Sequence, residues 1–100
     1  MRYLDLYIIK KQCRIDLNFT EDDDILEIYG DSAESFLESY LDQNLDVIAA
    51  QNSGELPTEL INAMLLYVDY MYDNSGSGEQ RDVPKSFFIL ASLYKNYPIA

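Results

Sequence analysis

Residues 20–42, TEDDDILEIYGDSAESFLESYLD, decide the fold class because their apolar positions recur at helical spacing. At about 100° per residue, Leu26, Ala33 and Leu37 fall within a narrow arc, which predicts a stripe facing the core. Thr20 is followed by four acidic residues. This order predicts a helix N-terminus, since threonine is a good N-cap and the helix dipole favours negative charge in the first turn.

The opposite side of this predicted helix carries carboxylates at spacings of three and four residues. We call this set the acidic ladder: Asp24, Glu27, Asp31, Glu34, Glu38 and Asp42. Like charges at such spacing cost about 0.2–0.5 kcal/mol each in an isolated helix. Because the other face supplies the core stripe, the ladder is predicted to point away from the interior of the monomer. It is interpreted as a solvated face, the wall of a lumen or a docking surface. Between stripe and ladder lie Ile28 and three serines, a seam where another helix can approach.

Caps, prolines and glycines predict helices for most of the remaining chain. The expected helices span residues 6–13 with Asp5 as N-cap, 20–42, 57–72 and 84–96, separated by connections at 43–56 and 73–79. The segment Asp46-Val47-Ile48 is the one strand candidate. The predicted fold class is therefore all-α with about four helices. Two short terminal helices flank two long central helices packed as a hairpin, in a single domain of residues 1–100.

The third predicted helix is apolar almost all round, and such a helix is normally buried all round. Its partner is either the centre of the monomer or a second copy. The chain contains nine tyrosines, and tyrosine is enriched at protein interfaces. We therefore predict self-association, with subunit contacts through some of Leu66, Tyr67 and Tyr70.

Charge is segregated along the chain, whose formal net charge is −11. Residues 16–80 hold sixteen acids and no Lys or Arg, so every basic residue lies near one of the two ends. A long acidic middle repels phosphate, and sequence-specific DNA binding is not expected. The segregation favours contact with a basic partner or head-to-tail contact between copies.

Residues that carry catalysis or bind metals are scarce. The chain has no His and one cysteine, Cys13, which is expected to pack in the core rather than react. The acidic run at 21–24 lacks the pattern of a calcium-binding loop, and Gly76-Ser77-Gly78 lacks the context of a phosphate loop. No apolar run has the length of a membrane span, and no signal peptide is indicated. We expect no enzyme activity, no metal and no cofactor.

Four stretches, in this order and spacing, carry a family resemblance. They are LYIIKKQCRID at 6–16, TEDDDILE at 20–27 with Ala33, LPTELINAMLL at 56–66 with YDN at 72–74, and Val83-Pro84 before Leu90 and Tyr94-Lys95. Together they resemble the small head–tail connector (adaptor) proteins of tailed bacteriophages. Ser75 stands where that family commonly has a basic residue, and Lys95 lies near a usual arginine, so charge contacts at these positions do not carry over.

The resemblance implies a structural protein of a phage or prophage that assembles as a ring beneath the portal protein. The ring is expected to match the portal's twelvefold symmetry and to receive the next neck or tail-completion protein. It would lie in the virion neck after assembly in the bacterial cytoplasm, without membrane contact, and DNA would pass through without sequence-specific binding. Two alternatives stay open. One is a small acidic regulator or DNA mimic that docks on a basic protein surface, and the other is a metal-dependent enzyme using the carboxylates.

Overall fold

Five α-helices occur in the part of the chain that the computed structural model describes, residues 1–74 and 83–95. They are α1, Leu6–Gln12; α2, Asp23–Leu41; α3, Leu45–Gln51; α4, Thr58–Asn74; and α5, Lys85–Ser92. Within these ranges no residue is in a strand. The all-α prediction is confirmed, and the expected count of about four helices is one too low.

The two long helices, α2 and α4, run in opposite directions beside each other. Near the end of α4, the Tyr72 hydroxyl donates to the Asp22 carboxylate just before α2, at 2.6 Å. At the other end, the Gln43 side chain after α2 donates to the Tyr94 carbonyl at 3.0 Å. The Tyr94 hydroxyl in turn donates to Glu59, in the first turn of α4, at 2.9 Å. The end of α2 therefore meets the start of α4, as a helical hairpin requires.

The core lies between α2 and α4, and every helix contributes to it. The predicted stripe of Leu26, Ala33 and Leu37 has no exposed surface. The other side chains with none are Ile9, Leu41, Leu45, Leu60, Ala63, Met64, Val68, Phe87 and Ala91. Burial of side chains of this size contributes about 1.5–3 kcal/mol each for the larger members. The hairpin is therefore held mainly by apolar burial.

Helix α5 packs against α4 and the second half of α2 through aromatic rings. Phe36 on α2 lies 5.3 Å from the Tyr67 ring on α4 and 5.2 Å from the Phe87 ring on α5. Tyr40 lies 5.2 Å from Phe88 between ring centroids. Offset and edge-on pairs at such distances add attraction beyond the area buried. Three helices are thus joined by one aromatic cluster.

Helix α2 begins at Asp23, so the predicted N-cap at Thr20 is wrong. Thr20 lies in a turn, where its carbonyl accepts from the Asp23 amide at 3.2 Å. Asp22 occupies the N-cap position but makes no side-chain capping bond. Its carboxylate instead accepts from Tyr72 of α4, a partner that local sequence does not reveal.

The predicted connection at 43–56 contains an unexpected helix, α3. The Asn44 side chain accepts from the Asp46 amide at 2.8 Å and caps its N-terminus. Leu45, Ile48 and Ala49 are buried at spacings of three and one, which suits one helix face and not an alternating strand. The strand candidate at residues 46–48 is therefore wrong. Capping by Asn44 favours a helix more than the β-branched residues Val47 and Ile48 favour a strand.

The other boundaries lie close to the predictions. Asp5 caps α1, accepting from the Ile8 amide at 2.8 Å, as predicted. Asp73 and Asn74 belong to α4 rather than to the predicted loop, whose residues 75–79 lie outside the described ranges. Helix α5 ends at Ser92, short of the predicted end at residue 96, which is also outside those ranges.

Candidate interaction surfaces

The middle of the acidic ladder is covered by the N-terminal segment, residues 1–4. The Glu34 side chain is 5% exposed, and its two oxygens accept the backbone N–H groups of Arg2, Tyr3 and Leu4 at 2.8–3.1 Å. Hydrogen bonds to an ionised carboxylate are among the stronger ones in proteins. The prediction that the whole ladder points away from the interior is therefore wrong at Glu34. Helical spacing alone cannot show that a segment 30 residues away supplies these donors.

Two ladder residues beside Glu34 meet cations from the same segment. The α-amino group of Met1 lies 2.9 Å from Asp31. The Arg2 guanidinium pairs with Glu38 on α2 and, at 2.8 Å, with Asp46 on α3. Exposed pairs of this kind contribute little individually, but their positive charges lessen the like-charge repulsion along the ladder.

The close approach of the N-terminal segment depends on a small residue in α2. A Cβ at Gly30 would overlap the Met1 side chain. Gly30 is itself buried. The glycine inside a helix, normally unfavourable by about 1 kcal/mol relative to alanine, thus makes room for residue 1. In the ladder, Glu34 is consequently buried and Glu38 half-buried, whereas Asp31 stays exposed beside Met1. Asp24 and Glu27 at one end and Asp42 at the other are exposed.

The three residues predicted to form subunit contacts lie in different environments. Tyr67 is 9% exposed and belongs to the aromatic cluster with Phe36 and Phe87, so the monomer core already accounts for it. Leu66 and Tyr70 are half-buried. A contact with a second copy through this part of α4 therefore depends on Leu66 and Tyr70.

Exposed apolar side chains concentrate on two other surfaces. The first lies at the N-terminal end of α2 and in the preceding loop, where Leu17, Phe19, Ile25 and Ile28 are 37–56% exposed. The second is the outer side of α5, where Ile89 and Leu93 are 66% and 68% exposed. Ile28 belongs to the seam noted in the sequence, whereas the exposure of the α5 pair follows from how that helix packs.

Among the described residues, the hydroxyls of Tyr3, Tyr72 and Tyr94 donate to carboxylates. Tyr3 donates to Asp46 on α3, in addition to the Tyr72 and Tyr94 contacts at the two ends of the hairpin. The hydrogen bond to Asp22 raises the pKa of Tyr72 to about 12. Part of the high tyrosine content therefore stabilises the monomer, rather than serving assembly as the composition suggested.

A family model described as phage gp6-like head-tail connector protein matches residues 3–90. The chain belongs to this family. The match extends from the N-terminal segment into α5. It includes the first three stretches that carried the resemblance and the part of the fourth that ends at Leu90. No curated protein and no solved structure matches the sequence. A head-tail connector acts through its surfaces, so the acidic ladder, the α4 residues and the two apolar surfaces are the candidate sites.

Polar depressions also occur on the described surface of this connector-family chain. One, of about 370 Å³, lies where α2 ends and is lined by Glu38, Ser39, Asp42, Gln43 and Asn44. The other, of about 290 Å³, is lined by Gln12, Cys13, Arg14, Asp69 and Asp73. Over residues 1–74 and 83–95, no group of three or more His, Cys, Asp or Glu side chains is arranged to hold a metal ion. No helix within those ranges is both long and apolar enough to span a membrane.

The thiol in the second depression is held in its neutral form. Burial raises the pKa of Cys13 to about 12, and the neighbouring Asp69 carboxylate adds to the rise. Burial and Asp73 also raise the pKa of Asp69. Because the fold favours the neutral thiol, its contribution to stability is present below pH 9 and is lost as the pH rises toward 12. The arrangement is unsuited to thiolate catalysis.

Alkylation of Cys13 by iodoacetamide at pH 8 is expected to be about tenfold or more slower in the folded protein than in urea. The raised pKa lowers the thiolate fraction, and the greater nucleophilicity of a more basic thiolate offsets only part of that loss. The rate is measured by mass spectrometry, with free cysteine in the same urea concentration as the control for solvent effects. Equal rates in the folded and unfolded protein would contradict the structure around Cys13.

Proposed function

We propose that the protein forms a ring on the portal vertex of a phage or prophage head, through which DNA passes and on which the tail assembles. The observation that carries this proposal is the family match over residues 3–90. Such a ring would match the portal's twelvefold symmetry and contact the portal protein on one side. On the other side it would contact the next neck or tail-completion protein. Its place is the virion neck, after assembly in the bacterial cytoplasm, and its role is structural rather than catalytic.

The exposed ends of the acidic ladder suit a surface near passing DNA. Glu27 and Asp42 are exposed, and the chain as a whole carries a formal net charge of −11. Repetition around a ring would concentrate negative potential, and salt would screen it over roughly 8 Å at physiological ionic strength. A wall of this kind does not bind phosphate, so DNA would pass without adhering.

The alternative of an acidic regulator or DNA mimic receives less support from the ladder. A DNA mimic needs carboxylates that are free to pair with a partner's Lys and Arg side chains. Asp31, Glu34 and Glu38 instead contact the chain's own N-terminal segment. These contacts occupy three carboxylates in the centre of the ladder, so the row of charges that a basic partner would bind is interrupted.

The proposal is tested with purified portal rings. We expect the wild-type protein to add a ring of density to the portal in electron micrographs, and to co-sediment with it. Two exposed ladder residues are then replaced in a variant carrying Glu27→Lys and Asp42→Asn, assembled into heads. Rings that retain DNA or release it slowly would support a lumen wall. Absence of binding between the wild-type protein and portal rings would overturn the proposed function.

Tyr70→Glu is expected to weaken self-association on the portal by about tenfold while helix content is retained. A charge placed beside half-buried Leu66 would have to be desolvated in any contact that covers this part of α4. The matched control is Tyr7→Glu, on α1, where the tyrosine is 55% exposed. Sedimentation and circular dichroism are measured for both variants. Rings of normal stability with Tyr70→Glu would remove Leu66 and Tyr70 from the subunit contact.

A further inference from the structure

We propose that the outer face of α5 in one subunit docks on the N-terminal end of α2 in the next subunit. The α5 face consists of Lys85, Ile89 and Leu93, and the α2 face consists of Asp24, Ile25 and Ile28. The proposal rests on the proposed function, because it names the contact that would close the ring. The occupant of each face is therefore a second copy of this chain.

The α5 face is a stripe on one side of a short helix, and it packs against no other helix among the described residues. Lys85, Ile89 and Leu93 follow one another at intervals of four residues, so they share that side. Ile89 and Leu93 are 66% and 68% exposed, whereas Phe87 and Ala91 on the other side have no exposed surface. The helix is anchored through its buried side and presents two large aliphatic side chains, with a lysine at one end, to the outside.

The α2 face has the same layout with the opposite charge. Ile28 is 56% exposed and follows Asp24 at an interval of four residues, as Ile89 follows Lys85. Ile25, at 37% exposure, lies on the neighbouring part of the helix surface. Glu27 is exposed at the edge of the face. The α2 face, with two aliphatic side chains and an acidic border, is thus complementary to the α5 face, with two aliphatic side chains and a lysine at one end.

The fold keeps these faces apart within one monomer. Helix α5 packs beside Phe36 and Tyr40, in the second half of α2, through Phe87 and Phe88. Its outer face is therefore turned away from the N-terminal end of α2. Both faces are available at the same time, so each subunit can give one and receive the other.

Charge complementarity determines the partner and the direction of the contact. Two α5 faces, or two α2 faces, packed in parallel would oppose like charges, which is unfavourable. Packed antiparallel, each charge would lie against the partner's aliphatic side chain and lose water without gaining a counter-charge. The favoured contact joins unlike faces. Contacts between unlike faces arrange the subunits head to tail. Such an arrangement produces a closed ring when a whole number of subunit-to-subunit rotations adds up to 360°. The contact between the α5 face and the α2 face is thus of the head-to-tail kind that a ring on the portal requires.

Charge reversal tests the contact because the α5 face carries a lysine and the α2 face carries an aspartate. Lys85→Asp or Asp24→Lys alone is expected to weaken self-association on portal rings about fivefold or more, since each places like charges opposite each other. Combining both reversals in one chain is expected to restore it. An equimolar mixture of the two single variants is also expected to associate, because every contact in an alternating ring then joins opposite charges. Sedimentation at several protein concentrations measures all four samples.

The apolar part is tested by Ile89→Ser with Leu93→Ser, which is expected to weaken self-association at least tenfold. The matched control is Val47→Ser on α3, whose side chain is 51% exposed. Restoration in the double and mixed samples supports the contact. The contact would be overturned if the losses of association caused by Lys85→Asp and Asp24→Lys simply add in the double variant. It would also be overturned if the variant with both serines associates as well as Val47→Ser.

Binding of the first subunits to portal rings is measured separately. If the wild-type protein fails to bind portal rings, the proposed function fails, and if only the reversal pattern fails, the inference fails alone.

Discussion

Replacing Lys10 with methionine is expected to lower the free energy of unfolding by about 3–5 kcal/mol. Lys10 is 4% exposed, and its Nζ lies 2.7 Å from Asp23 Oδ1 and 2.7 Å from the Phe19 carbonyl oxygen. A second carbonyl, of Leu17, lies 3.4 Å away. Methionine keeps the apolar stem but removes the cation. The buried Asp23 oxygen then has no charged partner, and breaking one side of a buried ion pair costs more than the pair itself contributes.

The loss is measured by urea denaturation followed by circular dichroism. The matched control is Lys11→Met, because Lys11 is exposed and its amine lies 4.9 Å from the Tyr7 ring centroid. That control is expected to change stability by less than about 1 kcal/mol. Adding Asp23→Asn to Lys10→Met is expected to recover part of the loss, since the unpaired charge is removed as well. A loss below about 1 kcal/mol for Lys10→Met would show that the pair is solvated.

Glu34→Ala is expected to lower the free energy of unfolding by about 2–4 kcal/mol and to release the N-terminal segment. The carboxylate accepts from three successive backbone N–H groups, at Arg2, Tyr3 and Leu4. Hydrogen bonds to a charged group contribute about 1.5–3 kcal/mol each. The expected loss is smaller than their sum because the released segment regains hydrogen bonds to water.

Two measurements separate release of the segment from general loss of stability. Urea denaturation gives the free energy, and hydrogen exchange reports the Tyr3 and Leu4 amides directly. The matched control is Glu27→Ala, at an exposed ladder position about two helical turns away. It is expected to stay within about 0.5 kcal/mol of the wild type. Unchanged protection of the Tyr3 and Leu4 amides in Glu34→Ala would contradict the role given to Glu34.

The part of the fold that could be predicted from sequence is the part determined by local rules. Helical periodicity placed Leu26, Ala33 and Leu37 in the core, and the Asp5 cap set the start of α1. The start of α2 was missed because Asp22 and its neighbours are bound by distant groups rather than by a local cap. Helix α3 was missed because a seven-residue helix has too little periodicity to stand out against a loop.

The candidate surfaces were predictable as faces but not as contacts. Spacing correctly placed Asp24 and Glu27 on the outside, yet it could not show that the amides of residues 2–4, which precede α1, donate to Glu34 on α2. For α4, the all-round apolar pattern left a choice between the monomer and a second copy. The structure assigns Tyr67 to the monomer, because Phe36 and Phe87 come from other helices to surround it. The contacts proposed for Leu66 and Tyr70 stay a prediction.

The sequence distances spanned by the contacts have a kinetic consequence. Lys10 meets Asp23, and residues 2–4 meet Glu34, so these loops close over at most about 30 residues. The aromatic cluster instead joins Phe36 to Phe87, which must search over a much longer chain. Short loops close at lower entropic cost, and nearby contacts form sooner on average. We therefore expect the contacts of residues 2–4 and of Lys10 to form earlier in folding than the packing of α5 on α2.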